Sequence, residues 1–420
     1  MKSYIIEGGK KLEGDVKISG SKNASLPIIA SSILNADLTK LYNVPNIHDT
    51  QITLKILKLL GCKIKKGNGK IEINSKNMNK KIIPEDLMHQ MRSTVILAGA
   101  ILGRFKEVIF SYPGGCDIGA RPIDLHLKSF EKLGIQIQEE GGFIKCKTDK
   151  IKPADIHLDF PSVGATENII LATVLAEGVT NIENAAMEPE IEDLCNILNK
   201  MGAKIEGAGT NNIKITGVKH LKNVSYTIMP DRIETGTFLC AGAITGGTIN
   251  LIDVFPKHLK PVLDKLQEAG CNIQTKNNNI LLQAPKRLKP IEIKTMPYPG
   301  FPTDLQPVFG GMLTIAKGTS IIIENIFENR YKYIQELNRM GAKVTIEGKT
   351  AIIKGVRKLS GASVKSYDLR GGAALVLAGL VAKGTTKVNH IEYILRGYED
   401  LEKKLGGLGA SIKIEEVKDE

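Results

Sequence analysis

The sequence predicts an α/β protein of two globular halves, each built from three repeated units that pack strands and outer helices around buried helices. Three observations carry this prediction. A leucine-rich helix end followed by glycine and an alternating strand recurs as LKLLGCKI, FEKLGIQI, LNKMGAKI, LQEAGCNI, LNRMGAKV and GGLGASI. Its glycine stands at positions 61, 134, 202, 270, 341 and 409, so the copies are spaced by 73, 68, 68, 71 and 68 residues, which is an internal repeat. Helices of a second kind, such as TENIILATVLAEG and GAALVLAGLVAKG, are apolar nearly all round, the pattern of a helix with no face left for solvent. After them come a glycine and a β-branched run, as in GVTNIEN, GTINLID, GTSIIIEN and GTTKVNH, which reads as a strand.

Composition bounds the function classes. A chain of 420 residues exceeds one ordinary core, and 42% hydrophobic with 24% charged residues excludes a disordered or fibrous protein. The longest apolar runs, at 94–102 and 373–382, are too short to span a bilayer. The opening MKSYIIEGGKKLEGD lacks the apolar core of a secretory signal. A cytoplasmic protein without a membrane segment is therefore expected. Cysteines at 62, 116, 146, 195, 240 and 271 form no CxxC pair and have no histidine at ligand spacing, so neither a metal site nor a disulfide framework is expected. The formal net charge of +12 suits nucleic acid or a small polyanion. Dispersed lysines and the absence of Trp place nucleic acid second.

Taken in order, residues 1–21 read as the head of a unit, because YIIEGGKKLEGDVKIS is similar to IIKGVRKLSGASVKSYD. They are expected to pair with the far end, SIKIEE. The domains are then 22–229 and, together, 1–21 with 230–420, joined by a short crossover. The buried helices start near Lys22, Arg92, Ser162, Asp231, Asp304 and Arg370. Helix starts expose unpaired N–H groups at the positive end of a dipole, so several in one cleft make an anion site, strengthened by Lys22, Arg92 and Arg121. A phosphorylated, multiply charged substrate fits it. For Ser162, Asp231 and Arg232 simple capping is the preferred reading. Asp304, in YPGFPTDLQPVF, reads equally as a cap and as a general base. Arg330 in ENIFENRYKY, Asp368 and Arg370 in YDLRGG, and Arg396 in ILRGYED are either solvated charges or a phosphate clamp.

The stretch SYPGGCDIGARPID, residues 111–124, is where the chemistry is expected. Gly114, Gly115 and Gly119 flank Cys116 and suit a lid. Arg121 is a cation of the kind that lowers a thiol pKa, although a small buried hydrophobe is the commoner fate of a cysteine. The seven histidines sit at no catalytic spacing and read as structural.

The motifs SGSKNASLP, PGGCDIGARPIDLH, SVGATENI, ENAAMEPEI, PDRIETGTF, GFPTDLQ, ENRY, DLRGGAALVLAG and RGYE, in this order, span the chain. Together they resemble the enolpyruvyl transferases, in the branch that acts on UDP-N-acetylglucosamine. The resemblance implies two inside-out α/β domains with the active site in the interdomain cleft. It implies transfer of the enolpyruvyl group of phosphoenolpyruvate to the 3′-hydroxyl of that sugar nucleotide, with no metal or organic cofactor. The catalytic set would be Cys116, Asp304, Lys22 and Arg396, with Cys116 the proton donor and the thiol alkylated by fosfomycin, and Asp304 taking the hydroxyl proton. Phosphoenolpyruvate would meet Lys22, Asn23, Arg121, Arg370 and Arg396. The sugar nucleotide would meet Arg92, Arg121, Pro122, Ile123, Asp124, Leu125, Ser162, Val163, Gly164, Asp304 and Ile326. Arg330 and Asp368 would line the closed cleft. One branch of the family carries lysine where this chain has Phe160, a departure that takes a charged contact away. The rival readings are a shikimate 3-phosphate acceptor, from which the Cys116 loop distinguishes this chain, and a basic binding repeat without activity.

Overall fold

A helix that must hand its chain to an antiparallel strand needs a residue able to turn through the left-handed region, and glycine does so without steric cost. In the computed structural model, which describes residues 2–67, 69–114 and 123–416, all six repeat glycines do this. Gly61, Gly134, Gly202, Gly270, Gly341 and Gly409 have φ between 75° and 107°.

Buried and outer helices alternate along the chain. They run as α1 (Lys22–Ser31) and α2 (His48–Leu59), then the single turn α3 (Glu85–Met88), α4 (Ile96–Phe105) and α5 (Asp124–Lys132). α6 (Val163–Thr173), α7 (Pro189–Lys200), α8 (Arg232–Thr245) and α9 (Lys260–Glu268) follow. The last are α10 (Gln306–Leu313), α11 (Tyr333–Arg339), α12 (Leu369–Val381) and α13 (Leu401–Gly407). The apolar helices are buried on all sides, as α12 is from Leu369 to Leu380. α9 buries only Val262, Leu263 and Leu266, the single stripe of an outer helix. Among the described residues no helix is long and apolar enough to cross a membrane.

The sheets share one plan. Val179–Glu183 runs parallel to Asp155–His157 and antiparallel to Asn212–Thr216, which in turn pairs with Lys204–Glu206. The register stacks Ile182 between Ile156 and Ile213, all buried. Four other sheets repeat this four-strand arrangement, and the sheet of Glu107–Ser111 has three strands with a bridge from Ile82 to Ile109 beside it.

The chain divides into two compact units, 20–114 with 123–229, and 2–19 with 230–416. The first unit closes when Val224–Thr227 pairs in parallel with Leu38–Tyr42. In its core α4 packs against α1 and α6. A Cβ on Gly99 would lie 2.6 Å from the Asn168 carbonyl oxygen, so only glycine allows α4 and α6 to approach this closely. The second unit closes when Lys2–Glu7 inserts antiparallel between Thr385–Asn389 and Ser411–Glu416. Glu13–Lys17 joins Thr248–Ile252 in parallel. Here α8, α10 and α12 each pack against the other two.

Candidate active site

In the unit containing the C-terminal half, three helix starts meet. Asp231 caps α8, accepting from the N–H groups of Ile233 at 2.7 Å and Glu234 at 3.0 Å. Asp368 caps α12, accepting from those of Arg370 and Gly371, both at 2.9 Å. α10 is preceded by the 3-10 turn Thr303–Leu305, with Pro302 at its N-cap and no side-chain cap bond. Asp304 therefore is not a cap, which removes one of its two readings. Its Oδ1 accepts from Arg330 Nη2 at 2.9 Å and its Oδ2 from Arg370 Nη2 at 3.2 Å.

Both arginines are buried, with 3% and 2% of their side chains exposed, against 26% for Asp304. The solvated reading of Arg330 and Arg370 is thus corrected. Arg330 is held inside by its bond to Asp304 in the turn before α10, and Arg370 lies in the first turn of a buried helix. A buried guanidinium needs a counter-ion, since leaving it unpaired costs several kcal/mol, about 3–5 when a buried pair is broken. Arg330 Nε has no acceptor among the described residues, while Arg370 interacts with Tyr398 as well as with Asp304. The Arg370 guanidinium lies 5.2 Å from the Tyr398 ring centroid, while the Tyr398 hydroxyl meets Thr237 Oγ1 of α8 at 2.9 Å. Asp231 also acts on Arg370 electrostatically. Arg232 stacks 5.6 Å from the Tyr298 ring. Arg396 is half-buried at the end of the turn Ile394–Arg396.

Beside this cluster Glu324, 2% exposed, gathers four neutral donors. Oε1 accepts from Thr295 Oγ1 at 2.9 Å, Ile326 N–H at 2.8 Å and Phe327 N–H at 3.2 Å. Oε2 accepts from Thr303 Oγ1 at 2.9 Å.

The other unit carries its own set of helix starts. Ser21 caps α1 by accepting from Ala24 N–H at 3.3 Å, which places Lys22 and the half-buried Asn23 in the first turn. Lys22 Nζ is 3.0 Å from Oδ2 of the buried Asp49 on α2. Arg92 opens the turn Arg92–Val95 that leads into α4. Ser162 caps α6 through Ala165 N–H at 3.3 Å, with Val163 and Gly164 in the first turn. Asn168 ties these starts together. Its Nδ2 donates to Val95 O at 3.1 Å and to His126 Nδ1 at 2.7 Å, and its Oδ1 accepts from Gly99 N–H at 2.8 Å. Burial, helped by Arg92, pushes the His126 pKa down to about 4, so the ring is neutral and Nδ1 is the acceptor. Ile123 precedes α5, whose first residue Asp124 faces Lys128 at 3.7 Å and is followed by the half-buried Leu125. Cys116, Arg121 and Pro122 lie outside the described residues.

The family model for EPSP synthase (3-phosphoshikimate 1-carboxyvinyltransferase) matches residues 6–405. The chain belongs to this family, the enolpyruvyl transferases. It is 52% identical over 98% of its length to "UDP-N-acetylglucosamine 1-carboxyvinyltransferase 2" of Caldanaerobacter subterraneus subsp. tengcongensis, covering 99% of that protein. It is 50% identical, over 98% of its length and 99% of the relative's, to "UDP-N-acetylglucosamine 1-carboxyvinyltransferase" of Geobacter metallireducens. Two solved structures share the fold at low identity. The enolpyruvyl transferase NikO from Streptomyces tendae has a TM-score of 0.90 at 23% identity over 98% of each chain. EPSP synthase from Acinetobacter baumannii has a TM-score of 0.79 at 19% identity, covering 99% of this chain and 100% of that one.

In this enolpyruvyl transferase the structure brings Asp304, Arg330 and Arg370 together and sets Asp231 beside them. Ile326 enters the same cluster through its backbone, on Glu324. Phe160 is exposed two residues before the Ser162 cap. Sequence reasoning missed Asp49, His126, Asn168 and Glu324. The first three look like ordinary polar residues of amphipathic or capped helices. Glu324 ends a β-branched run in IIIEN just as Glu183 does in TNIEN, yet the Glu183 side chain is 61% exposed, so nothing local singles Glu324 out.

Proposed function

We infer that the chain transfers the enolpyruvyl group of phosphoenolpyruvate to the 3′-hydroxyl of UDP-N-acetylglucosamine with release of phosphate. The observation that carries this reading is identity of about one half, 52% and 50%, along nearly the whole chain to proteins bearing that enzyme's name. In the cytoplasm the reaction commits the sugar nucleotide to peptidoglycan.

The chemistry accounts for the residue types. Phosphoenolpyruvate carries a carboxylate and a phosphate, and Lys22, Asn23, Arg121, Arg370 and Arg396 hold them. The Arg370 guanidinium, fixed and bidentate in kind, suits such a role. Arg92, Arg121, Pro122, Ile123, Asp124, Leu125, Ser162, Val163, Gly164 and Ile326 hold the sugar nucleotide. Asp304 accepts the 3′-hydroxyl proton as the sugar oxygen bonds to C2 of phosphoenolpyruvate, and Cys116 delivers a proton to C3. The Asp304 carboxylate is one quarter exposed, at 26%, which leaves it open to an incoming hydroxyl. The tetrahedral adduct then loses a proton from C3 and phosphate from C2, restoring the enol ether. Fixed cations stabilise the charge on the departing phosphate. Cys116 is the thiol that fosfomycin alkylates.

Phosphate release measured with phosphoenolpyruvate and each acceptor in turn tests the reading. Release is expected with UDP-N-acetylglucosamine alone. Release with shikimate 3-phosphate instead, or with neither acceptor, overturns it.

A further inference from the structure

We propose that Glu324 is the positioning residue for the proton-accepting carboxylate of Asp304, holding it from two sides through one buried carboxylate. The proposal rests on the reading of Asp304 given above. On one side Glu324 Oε2 takes the hydroxyl of Thr303, the residue next to Asp304, at 2.9 Å. On the other side Oε1 takes the Phe327 N–H at 3.2 Å. The Phe327 ring lies 5.5 Å from the guanidinium carbon of Arg330, and Arg330 Nη2 donates to Asp304 Oδ1 at 2.9 Å. The contacts close a ring: Glu324, Thr303, Asp304, Arg330, Phe327 and back to Glu324. The same Oε1 fixes the Ile326 N–H at 2.8 Å.

Chemistry sets this residue apart from ordinary core filling. A buried carboxylate is costly unless its lone pairs are occupied. Here the four bonds all come from neutral donors, two hydroxyls and two backbone N–H groups. Among the described residues an acid so placed gains no ion pair, and it joins two loops that meet at Asp304. Displacement of a reacting group by about 1 Å can cost on the order of 100-fold in rate, so the register of the Thr303–Leu305 turn matters directly to proton transfer.

The bonding pattern supplies selective perturbations. Glu324→Gln can keep the acceptor at Oε1 and replace only the oxygen that faces Thr303. Thr303→Val removes the same link from its other end at nearly constant volume. Each variant should lower kcat roughly 10- to 100-fold, leave the KM for phosphoenolpyruvate within about twofold, and shift the acid limb of the pH–rate profile, which reports the base. The double variant should be no slower than the worse single variant, because both act on one connection, which Gln can only reverse by donating to the Thr303 hydroxyl and Val removes. Fluorescence titration with UDP-N-acetylglucosamine should give near wild-type binding for all three. Wild-type kcat in Glu324→Gln and Thr303→Val overturns the proposal. So does a loss confined to binding or to melting temperature with the pH profile unmoved, which marks a merely structural role. If the wild type uses shikimate 3-phosphate instead, the acceptor assignment falls and the same comparison, made with that acceptor, still decides the role of Glu324. A wild type active with neither acceptor removes both.

Discussion

Replacing Asp304 with asparagine should cost stability as well as turnover, because its carboxylate is the counter-ion of two buried guanidiniums. The amide keeps one acceptor oxygen but turns N–H donors toward the other arginine and removes the negative charge. Arg330 and Arg370 are 3% and 2% exposed, so neither can recover solvation by a small movement. Breaking a fully buried pair costs about 3–5 kcal/mol. The partial exposure of Asp304 lets water replace some of the loss, which brings the expected figure for Asp304→Asn to roughly 2–4 kcal/mol. For a unit of this size each kcal/mol moves the melting temperature by about 2–4 °C, so a fall of about 5–15 °C is expected. Calorimetry near neutral pH on the wild type, Asp304→Asn, Arg330→Met and the double variant measures it. With Arg330 replaced by an apolar chain, Asp304→Asn should cost less, giving a coupling of about 1–3 kcal/mol. Unchanged melting of Asp304→Asn, or strict additivity of the pair, would refute the buried ion-pair argument. Loss of turnover alone would leave Asp304 a base without a structural role.

Two further predictions concern titration. His126 is held neutral in the folded protein, its pKa pushed down to about 4 by burial and then by Arg92, against a weaker opposing pull from Asp124. The unfolded chain protonates it below about 6.5, so this contribution to stability is intact above that pH and is lost as pH falls toward 4, by roughly 3 kcal/mol in all. Calorimetry of the wild type and His126→Gln should show their difference narrowing over that window, and a constant difference would count against a buried neutral ring. Asp193, pushed up to about 6 by burial in the same unit, slopes the other way but is common to both proteins. As for the thiols, fosfomycin should label the native protein at Cys116 alone. Burial raises Cys62 to about 11 and Cys146, Cys195 and Cys271 to about 12, and lifts Cys240 as well. Peptide mapping that places the label on any of these five in the folded protein sinks the assignment of Cys116.

Much of the architecture is legible in the sequence, because the devices that build it are local. A helix stop with positive φ asks for glycine, which is why the six repeat glycines could be read directly. The repeat likewise marks the starts at Lys22, Arg92, Ser162, Asp231, Asp304 and Arg370 to within a turn. Similarity between the head of the chain and a later repeat pointed Lys2–Glu7 toward the last strand, which it pairs. No comparable signal announced that Val224–Thr227 would complete the sheet of Leu38–Tyr42. The burial of Arg330 and Arg370, the loss of the capping role for Asp304, and the contrast between Glu324 and Glu183 were decided by tertiary structure alone. Two acids in nearly the same local sequence differ because one is covered by the turn before α10 and the loop that carries Arg330, while the other faces water. Conformation of a few residues is written in those residues. Burial, and with it the meaning of a charge, is set by which distant segment lies on top.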